Sequence, residues 1–499
     1  MIEQSATVEE DTREITRLKI LQNGSLRRWV SLIGLVFADV AAFAFATLLF
    51  RVGNTVPQLL FTRGLLPFNE PIDLFYFLGL IFVAVRYISG DYSRRELFWD
   101  GAKLTTISLL IASTPCVLLL LFAKVHYSAW AIIGSWTFVL VAIPAFRQVA
   151  RWLLSRASIW QLPTALVGDG PNALEAFKAF SSSLSLGFDV RFLITPRDVP
   201  ESVKTIFADV TRIGLRDPAN IVQRLSEAGC REVVMATEHP QDEETEELIQ
   251  RLMAAGIGVA VIPPLGRLPL LGMTMNYFIG RDLLLLQVRD NRRRLPARML
   301  KRLMDIIGSI FLLILLSPVF ALFAFLIRRE DGGPALFVQP RAGHRGREFG
   351  CIKFRTMIMD AEEQLSRWRE EKSPIYEQYL TSNFKLRSDP RVTRIGRWLR
   401  STSLDELPQL INVLIGDMSL VGPRPLLPRE IREYGVTFRL YQRIRPGITG
   451  LWQISGRSHT RFADRVASDE WYIKNWSFWY DIVILLKTVS VLVTRDGAY

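Results

Sequence analysis

Four apolar runs open the chain, at 29–50, 72–89, 104–123 and 128–146, each about as long as a bilayer-crossing helix. They predict an α-helical four-span bundle over 29–150, behind a polar leader over 1–28 that lacks the small-residue cleavage site of a signal peptide. Pro115 within the third run is tolerable among neighbouring helices. From 162 the pattern changes. Leu162 to Ala173 reads strand, turn, then helix, with Gly168-x-Gly170-x-x-Ala173 at the turn. Apolar strands at 188–194, 232–236 and 257–262 alternate with helical patterns at 218–228 and 242–255, which predicts a small doubly wound, Rossmann-like α/β module over 160–280. A working dinucleotide site also needs an acid at the end of the second strand. The chain there reads Phe192-Leu193-Ile194-Thr195, so the module is expected to be degenerate, regulatory or structural.

A fifth apolar run, Leu303 to Ile327, is long enough to span. Its flanks are both basic, however, with Arg298, Lys301 and Arg302 before it and Arg328 and Arg329 after it. The positive-inside rule then asks for both ends on the cytoplasmic side. Ser317-Pro318 lies mid-run, where proline breaks a helix and a serine hydroxyl bonds the freed backbone. A re-entrant helix-break-helix over 303–327, dipping into one leaflet, satisfies both features. A kinked span is the alternative. Past it, 333–343 and 349–355 read as short strands bounded by turns, and Val392, Ile395 and Leu399 mark a basic amphipathic helix suited to a membrane surface. The last apolar run, 482–493, is interrupted by Lys487 and is too short to cross; it is expected in the interface.

Charge narrows the partners. The net charge of +12 suits nucleic acid, an anionic membrane surface or phosphorylated substrates, and a hydrophobic fraction of 49% with long apolar runs favours the last two. No nucleic-acid partner is expected. Basic residues crowd the leader and the second and fourth connections (Arg27, Arg28, Arg86, Arg94, Arg95, Lys103, Arg147, Arg151, Arg156), which places both ends of the bundle in the cytoplasm. Three scattered cysteines and four histidines imply neither disulfides nor a zinc site.

The candidate chemistry lies in 385–425, where five arginines (Arg387, Arg391, Arg394, Arg397, Arg400) lead into the acid pair Asp405-Glu406 and the stretch ends on Pro423-Arg424-Pro425. Arginines grip phosphate oxygens in forked hydrogen bonds. A carboxylate beside them supplies a nucleophile or a Mg²⁺ ligand. The bland alternative is a capping box, Ser403-x-x-Glu406, opening a helix through Gln409 and Leu410. Likewise Asp305, one turn from Lys301 and Arg302, reads as an ion-paired acid or as part of a cluster holding a lipid phosphate.

These residues carry a resemblance. From about 298 the chain resembles the bacterial sugar transferases, the monotopic phosphoglycosyl transferases. The matching motifs are Lys301-Arg302-x-x-Asp305, Ser317-Pro318, Gly333-Pro334-x-x-Phe337, Gln339-x-Arg341-x-Gly343, Lys353-Phe354-Arg355-Thr356-Met357, the stretch Arg391 to Gly396, the run Leu399 to Gln409, Asn412-Val413-Leu414, Gly416 to Pro425, and Arg445-Pro446-Gly447 through Gly450. Spans followed by a nucleotide-binding-like module resemble the long polyprenyl-phosphate hexose-1-phosphate transferases of that family. The resemblance implies a multi-domain membrane protein whose mostly α monotopic catalytic domain, 298–499, lies on the cytoplasmic face of the bacterial inner membrane. It implies transfer of hexose 1-phosphate from a UDP-hexose to polyprenyl phosphate with release of UMP, the initiating step of O-antigen, capsule or exopolysaccharide synthesis.

By the same resemblance the route is ping-pong, with Asp405 the nucleophile and Glu406 assisting acid-base steps or holding Mg²⁺ together with Asp405. Arg341, Lys353, Arg355, Arg387, Arg400 and Arg424 are the phosphate-binding candidates, and Lys301, Arg302, Asp305, Ser317 and Pro318 the polyprenyl-phosphate and re-entrant set. A homodimer, the identity of the hexose and the ligand of the middle module are left open. Two rivals stand: a membrane-anchored NAD-dependent sugar-nucleotide epimerase or dehydratase, and a non-catalytic scaffold for polysaccharide assembly. The first usually needs Tyr-x-x-x-Lys, which this chain lacks, and the second leaves the Arg and Asp-Glu clustering without a reason.

Overall fold

The computed structural model describes residues 24–50, 71–122, 129–183, 185–195, 207, 210–215, 218–238, 243–264, 273–277, 284–288, 292, 294–381, 386, 388–455 and 461–494. The chain divides after Gly266 into two compact units.

The first unit opens with α1 (Gly24–Phe50), α2 (Pro71–Ile88), α3 (Phe98–Phe122) and α4 (Ala129–Arg156). Three stretches, Leu26–Phe50, Phe98–Leu118 and Ala131–Arg156, are long and apolar enough to cross a membrane; in α2 the apolar stretch is shorter, Phe75–Ile88. The bundle interior is aromatic, with the Phe43 ring 5.3 Å from Phe75, 5.9 Å from Phe82 and 6.1 Å from Trp136. Outward-facing Phe37, Leu48, Leu80, Ile88 and Val141 form an apolar belt that water would not tolerate, as befits a membrane protein. Arg86 and Arg147, expected as cytoplasmic loop charges, are instead buried and paired. Arg147 donates to Asp39 Oδ1 at 2.7 Å and to Asp91 Oδ2 at 2.7 Å, and Arg86 lies 2.6 Å from Asp91. Charges sealed in a bundle need such partners.

The rest of this unit is a five-stranded parallel sheet in the order β3-β2-β1-β4-β5, built from β1 (Leu162–Val167), β2 (Phe188–Thr195), β3 (Thr211–Gly214), β4 (Glu232–Met235) and β5 (Gly258–Val261). Helices α5 (Pro171–Ser182), α6 (Pro218–Glu227) and α7 (Glu243–Ala254) connect the strands. Near-continuous apolar strands such as Ala165-Leu166-Val167 and Val233-Val234-Met235 are buried on both faces, as parallel sheets require. The edge strand β3 was not foreseen; only Ile213 in it is buried, too little for a visible period. At the β1–α5 turn, Gly168 has φ +148°, and a Cβ there would meet Ala236 O at 2.6 Å. The N-terminus of α5 is already occupied by this chain's own anion: Glu238 Oε1 accepts from Asn172 N at 3.0 Å, and a Cβ on Gly170 would strike the Glu238 side chain at 2.8 Å.

The second unit contains an antiparallel pair, β6 (Met273–Tyr277) with β7 (Leu284–Val288), and then two helices, α8 (Leu295–Leu315) and α9 (Ser317–Asp331), bent by 61° at Leu316. At the break the Ser317 hydroxyl donates to Ile314 O at 2.8 Å, and Pro318 sits in the first turn of α9 where its missing N–H is harmless. A hairpin, β8 (Leu336–Ala342) with β9 (Glu348–Phe354), follows, then α10 (Ala361–Glu370), α11 (Pro374–Thr381), α12 (Arg394–Thr402) and α13 (Gln409–Ile415). A parallel pair, β10 (Ser419–Val421) with β11 (Gly447–Thr449), brackets the short helices α14 (Ile431–Tyr434) and α15 (Phe438–Tyr441). The chain continues through α16 (Leu451–Ile454) and α17 (Phe462–Lys474) to α18 (Phe478–Thr494). Cys351, Val413, Met418, Val421, Tyr441 and Tyr472 are at the centre of the core.

Both ends of the bent pair are fastened to this core. At the start of α8, Arg302 donates to the carbonyls of Val413 at 2.7 Å and Leu414 at 2.8 Å, capping the C-terminus of α13. One turn later Asp305 Oδ1 accepts from Ser419 Oγ and Leu420 N, both at 3.0 Å. At the end of α9, Glu330 accepts from Arg394 N at 2.8 Å, and Asp331 takes a two-pronged bond from Arg355, one prong 2.6 Å long. Between these anchors the pair exposes Leu303, Ile307, Phe311, Ile314, Leu322 and Phe325.

Candidate active site

The acid pair is delivered by a sharp reversal after α12. Thr393 caps that helix, its Oγ1 accepting from Gly396 N at 2.9 Å. Glycine is required at 396 because a Cβ would stand 2.1 Å from Thr356 O, so α12 lies directly on the segment after β9. The helix ends at Ser403 in the left-handed region (φ 56°), a conformation costing a serine about 1–2 kcal/mol. Leu404–Glu406 then forms a single 3₁₀ turn, and α13 starts only at Gln409. The expected capping box is absent. Ser403 makes no side-chain cap, because the residue that reverses the chain cannot also take the extended geometry of an N-cap.

Glu406 points at the end of β9, where Lys353 Nζ lies 2.7 Å from its Oε1. Asn412 fixes this juxtaposition by spanning α13 and β9, accepting from Ile352 N at 2.9 Å and donating to Gly350 O at 2.8 Å. The two carboxyls are driven apart. Burial, then the charge of Glu406, pushes the Asp405 carboxyl up to about 6, with Lys353 and Arg400 opposing. For Glu406 burial also acts upward, but Lys353, Arg424 and Arg341 outweigh it and hold the group below its ordinary value. At neutral pH this is a dianionic pair in a cationic frame.

The other residues singled out in the sequence are placed as follows. Arg341 on β8 is buried, donates to Pro425 O at 2.9 Å and Gln339 Oε1 at 2.8 Å, and leaves its Nε without a partner among the described residues. Arg424 lies 5.7 Å from the Trp452 ring centroid, and its charge reaches Glu406. Arg400, exposed on α12, donates to Thr356 Oγ1 at 2.9 Å. Arg355 is engaged by Asp331 and by Pro334 O at 2.7 Å. Lys301 bridges Asp481 at 2.9 Å and Asp305 at 3.5 Å, and Arg302 and Asp305 hold α8 to the core as described above. Arg387 falls outside the described residues.

Sequence reasoning missed the layer behind Arg424. Arg465 on α17 lies 4.3 Å from the Trp452 ring centroid and leaves a buried Nε unpartnered among the described residues. Burial and the nearby Arg424 lower its pKa. Beside it, burial raises the Asp469 carboxyl to about 7 against the pull of the Tyr434 hydroxyl, which donates to it at 2.7 Å. The aromatic density of 471–480 is the one sequence signal near this layer.

A Mg²⁺ ion needs just one or two protein carboxylates when substrate phosphates and water complete its octahedron. Asp405 and Glu406 suit that role; among the described residues no group of three or more His, Cys, Asp or Glu converges to hold an ion unaided. The pair therefore fits a Mg²⁺ ion that arrives with a diphosphate.

Residues 296–495 match the family described as bacterial sugar transferase. Over 409 residues, 82% of this chain and 84% of the relative, the chain is 37% identical to a protein of Salmonella typhimurium named undecaprenyl-phosphate galactose phosphotransferase. It is 36% identical over 422 residues (84% and 86%) to the UDP-galactose-lipid carrier transferase of Erwinia amylovora. It is also 40% identical over 218 residues (41% and 74%) to the UDP-glucose:undecaprenyl-phosphate glucose-1-phosphate transferase of Caulobacter vibrioides. With a relative this similar matched over most of both lengths, and with the acid pair inside the matched segment, the chain belongs to the bacterial sugar transferase family.

Proposed function

We propose that this protein transfers hexose 1-phosphate from a UDP-hexose to polyprenyl phosphate, giving polyprenyl-diphosphate-hexose and UMP and so initiating a surface polysaccharide. The observation that carries the reading is one desolvated acid, Asp405, next to a second acid fixed by Lys353, within the reach of Arg341 and Arg424. An Asp405 oxygen attacks the β-phosphorus of the donor, the bond from that phosphorus to the bridging oxygen breaks, and UMP leaves. An oxygen of polyprenyl phosphate then attacks the same phosphorus and frees Asp405. Arg341, Lys353 and Arg424 hold phosphate oxygens, and Arg400 keeps Asp405 ionised. Mg²⁺, when bound through Asp405 and Glu406, would neutralise the diphosphate and stabilise the leaving UMP.

We place the reaction on the cytoplasmic face of the inner membrane, with α1–α4 as four spans and α8–α9 as a re-entrant hairpin. Support for the hairpin comes from its anchors: Arg302 and Asp305 at one end and Glu330 and Asp331 at the other bind the same unit, whereas a kinked span would leave them about 30 Å apart across hydrocarbon. The α/β module is a degenerate nucleotide fold. Glu238 takes the place at the α5 N-terminus where a pyrophosphate would sit, which also counts against an NAD-dependent epimerase.

The test is UMP release by membranes given polyprenyl phosphate and a panel of UDP-hexoses, UDP-galactose first because relatives matched along most of their length carry galactose in their names. A lipid-linked sugar should appear with UMP, and Asp405→Asn should abolish both while still inserting. Undiminished turnover by that variant would refute the nucleophile assignment.

A further inference from the structure

A cavity of about 570 Å³ opens beside the first turns of α8, and neither Asp405, Glu406, Lys353 nor Arg424 lines it. Its polar lining includes the carboxylate of Asp305 but is mostly cationic, with four arginines from three separate segments: Arg298 on α8, Arg345 in the β8–β9 turn, and Arg443 and Arg445 ahead of β11. Among the described residues these four guanidinium groups make no ion pair and no side-chain hydrogen bond. Lys301 and Arg302, in the same wall, are committed to Asp481 and to the α13 carbonyls. Burial, then repulsion from Arg302, depresses Arg445, and Arg298 adds to it; Asp305 and Asp417 offset this only from beyond ion-pair distance. His344 is lowered by burial and by Arg445, Arg345, Arg298 and Arg347. Cations gathered this way repel one another unless an anion joins them.

Apolar residues line the same cavity: Leu295 and Met299, exposed by 64% and 63%, share a helix face with Arg298, and Trp476 also contributes. The same helix continues into Leu303, Ile307 and Phe311, all exposed. A pocket that joins arginines to a row of exposed apolar residues running along α8 matches a phosphate joined to a hydrocarbon chain.

We propose that this cavity binds the phosphate of a membrane lipid, with Arg298, Arg345, Arg443 and Arg445 on its oxygens and Leu295 and Met299 along the start of its chain. The proposal rests on the reading that α8 enters the bilayer. The lipid is either an anionic phospholipid or a polyprenyl phosphate, both presenting the same group to the same arginines.

Native mass spectrometry of the full chain, released from detergent with defined lipids, tests it. One phosphatidylglycerol per chain should be retained, Arg298→Gln and Arg443→Gln (both exposed side chains) should each weaken it about fivefold, and Asp405→Asn should leave it unchanged. One-for-one displacement by polyprenyl phosphate identifies that lipid as the natural occupant; failure to displace identifies the phospholipid, and either supports the site. Equal retention of phosphatidylcholine, equal affinity for inorganic phosphate, or unchanged binding in the double variant overturns the proposal. UMP release by the same samples reports separately on the proposed reaction, so failure of one reading is not mistaken for failure of the other.

Discussion

Replacing Asp405, the proposed nucleophile, should make the protein more stable. The Asp405 carboxyl is held at about 6 against an ordinary 3.8, mainly by burial and secondarily by Glu406. At about 1.4 kcal/mol per pH unit, keeping it ionised near pH 7.5 costs the fold about 3 kcal/mol. The site is only partly shielded from water, which screens that cost to about 1–2 kcal/mol. The sign follows from linkage: the folded-state value lies above the unfolded one, so the contribution to stability is complete below about 3.8 and is lost as pH rises through about 6. Asparagine cannot ionise and escapes the loss. For a unit of this size the unfolding midpoint of Asp405→Asn in detergent should therefore rise by about 2–8 °C near pH 7.5, and the gain should vanish near pH 4. An activity-dead variant that is also stabilised is the mark of a functional group held under electrostatic stress. A midpoint equal to wild type at pH 7.5, or a gain of the same size at both pH values, would refute the claim that Asp405 is a charged, desolvated group.

Other outcomes follow from the same charges. Single-turnover UMP release should climb about tenfold per pH unit below about 6 and level off above it, because only ionised Asp405 attacks; a flat profile from pH 5 to 8 counts against it. Lys353→Met should move that break upward and Glu406→Gln downward, since Lys353 favours and Glu406 disfavours the Asp405 anion; shifts in the same direction in both variants would contradict the assignment. Asp331→Asn should lower the unfolding midpoint, the pair between buried Arg355 and the more exposed Asp331 contributing about 1 kcal/mol, while leaving the KM for UDP-hexose unchanged. A rise in that KM would instead place Arg355 on the donor.

What could be read from the sequence was what depends on neighbours along the chain. The apolar runs, the alternation of strands and helices from 162, and the Ser317-Pro318 break each rest on local period or local backbone chemistry, and helices and strands appear near those places, although the third helix begins already at Phe98 and the fourth runs on to Arg156. What could not be read depends on distant partners. Arg355 looked like a phosphate ligand because it sits two residues after Lys353, yet it lies just past the end of β9 and is held by Asp331, 24 residues earlier. Arg86 and Arg147 looked like loop charges until α1 supplied Asp39 and the α2–α3 connection supplied Asp91. Glu238 carried no signal at all, although its carboxylate accepts from the first turn of the helix after the glycine turn 70 residues before it. The capping box failed for a local reason, but one hidden in Ser403: nothing in a serine announces a left-handed turn.

The unequal surroundings of the two acids suggest how one pair divides its labour. Glu406 is tied at 2.7 Å to Lys353, itself held by the Asn412 clamp on β9, and Lys353, Arg424 and Arg341 keep its carboxyl below its ordinary value despite burial. Among the described residues Asp405 has no such ion pair; Lys353 and Arg400 act on it through space, and burial with the adjacent fixed anion makes its own charge costly. A nucleophile benefits from that instability, because forming a bond to phosphorus removes the charge the site least tolerates, whereas an acid already neutralised by a salt bridge would gain little. The strained Ser403 turn is what keeps the two side chains adjacent but differently housed. Exchanging the pair, Asp405→Glu with Glu406→Asp, keeps both charges and shortens the reach to Lys353, and should lose far more activity than stability.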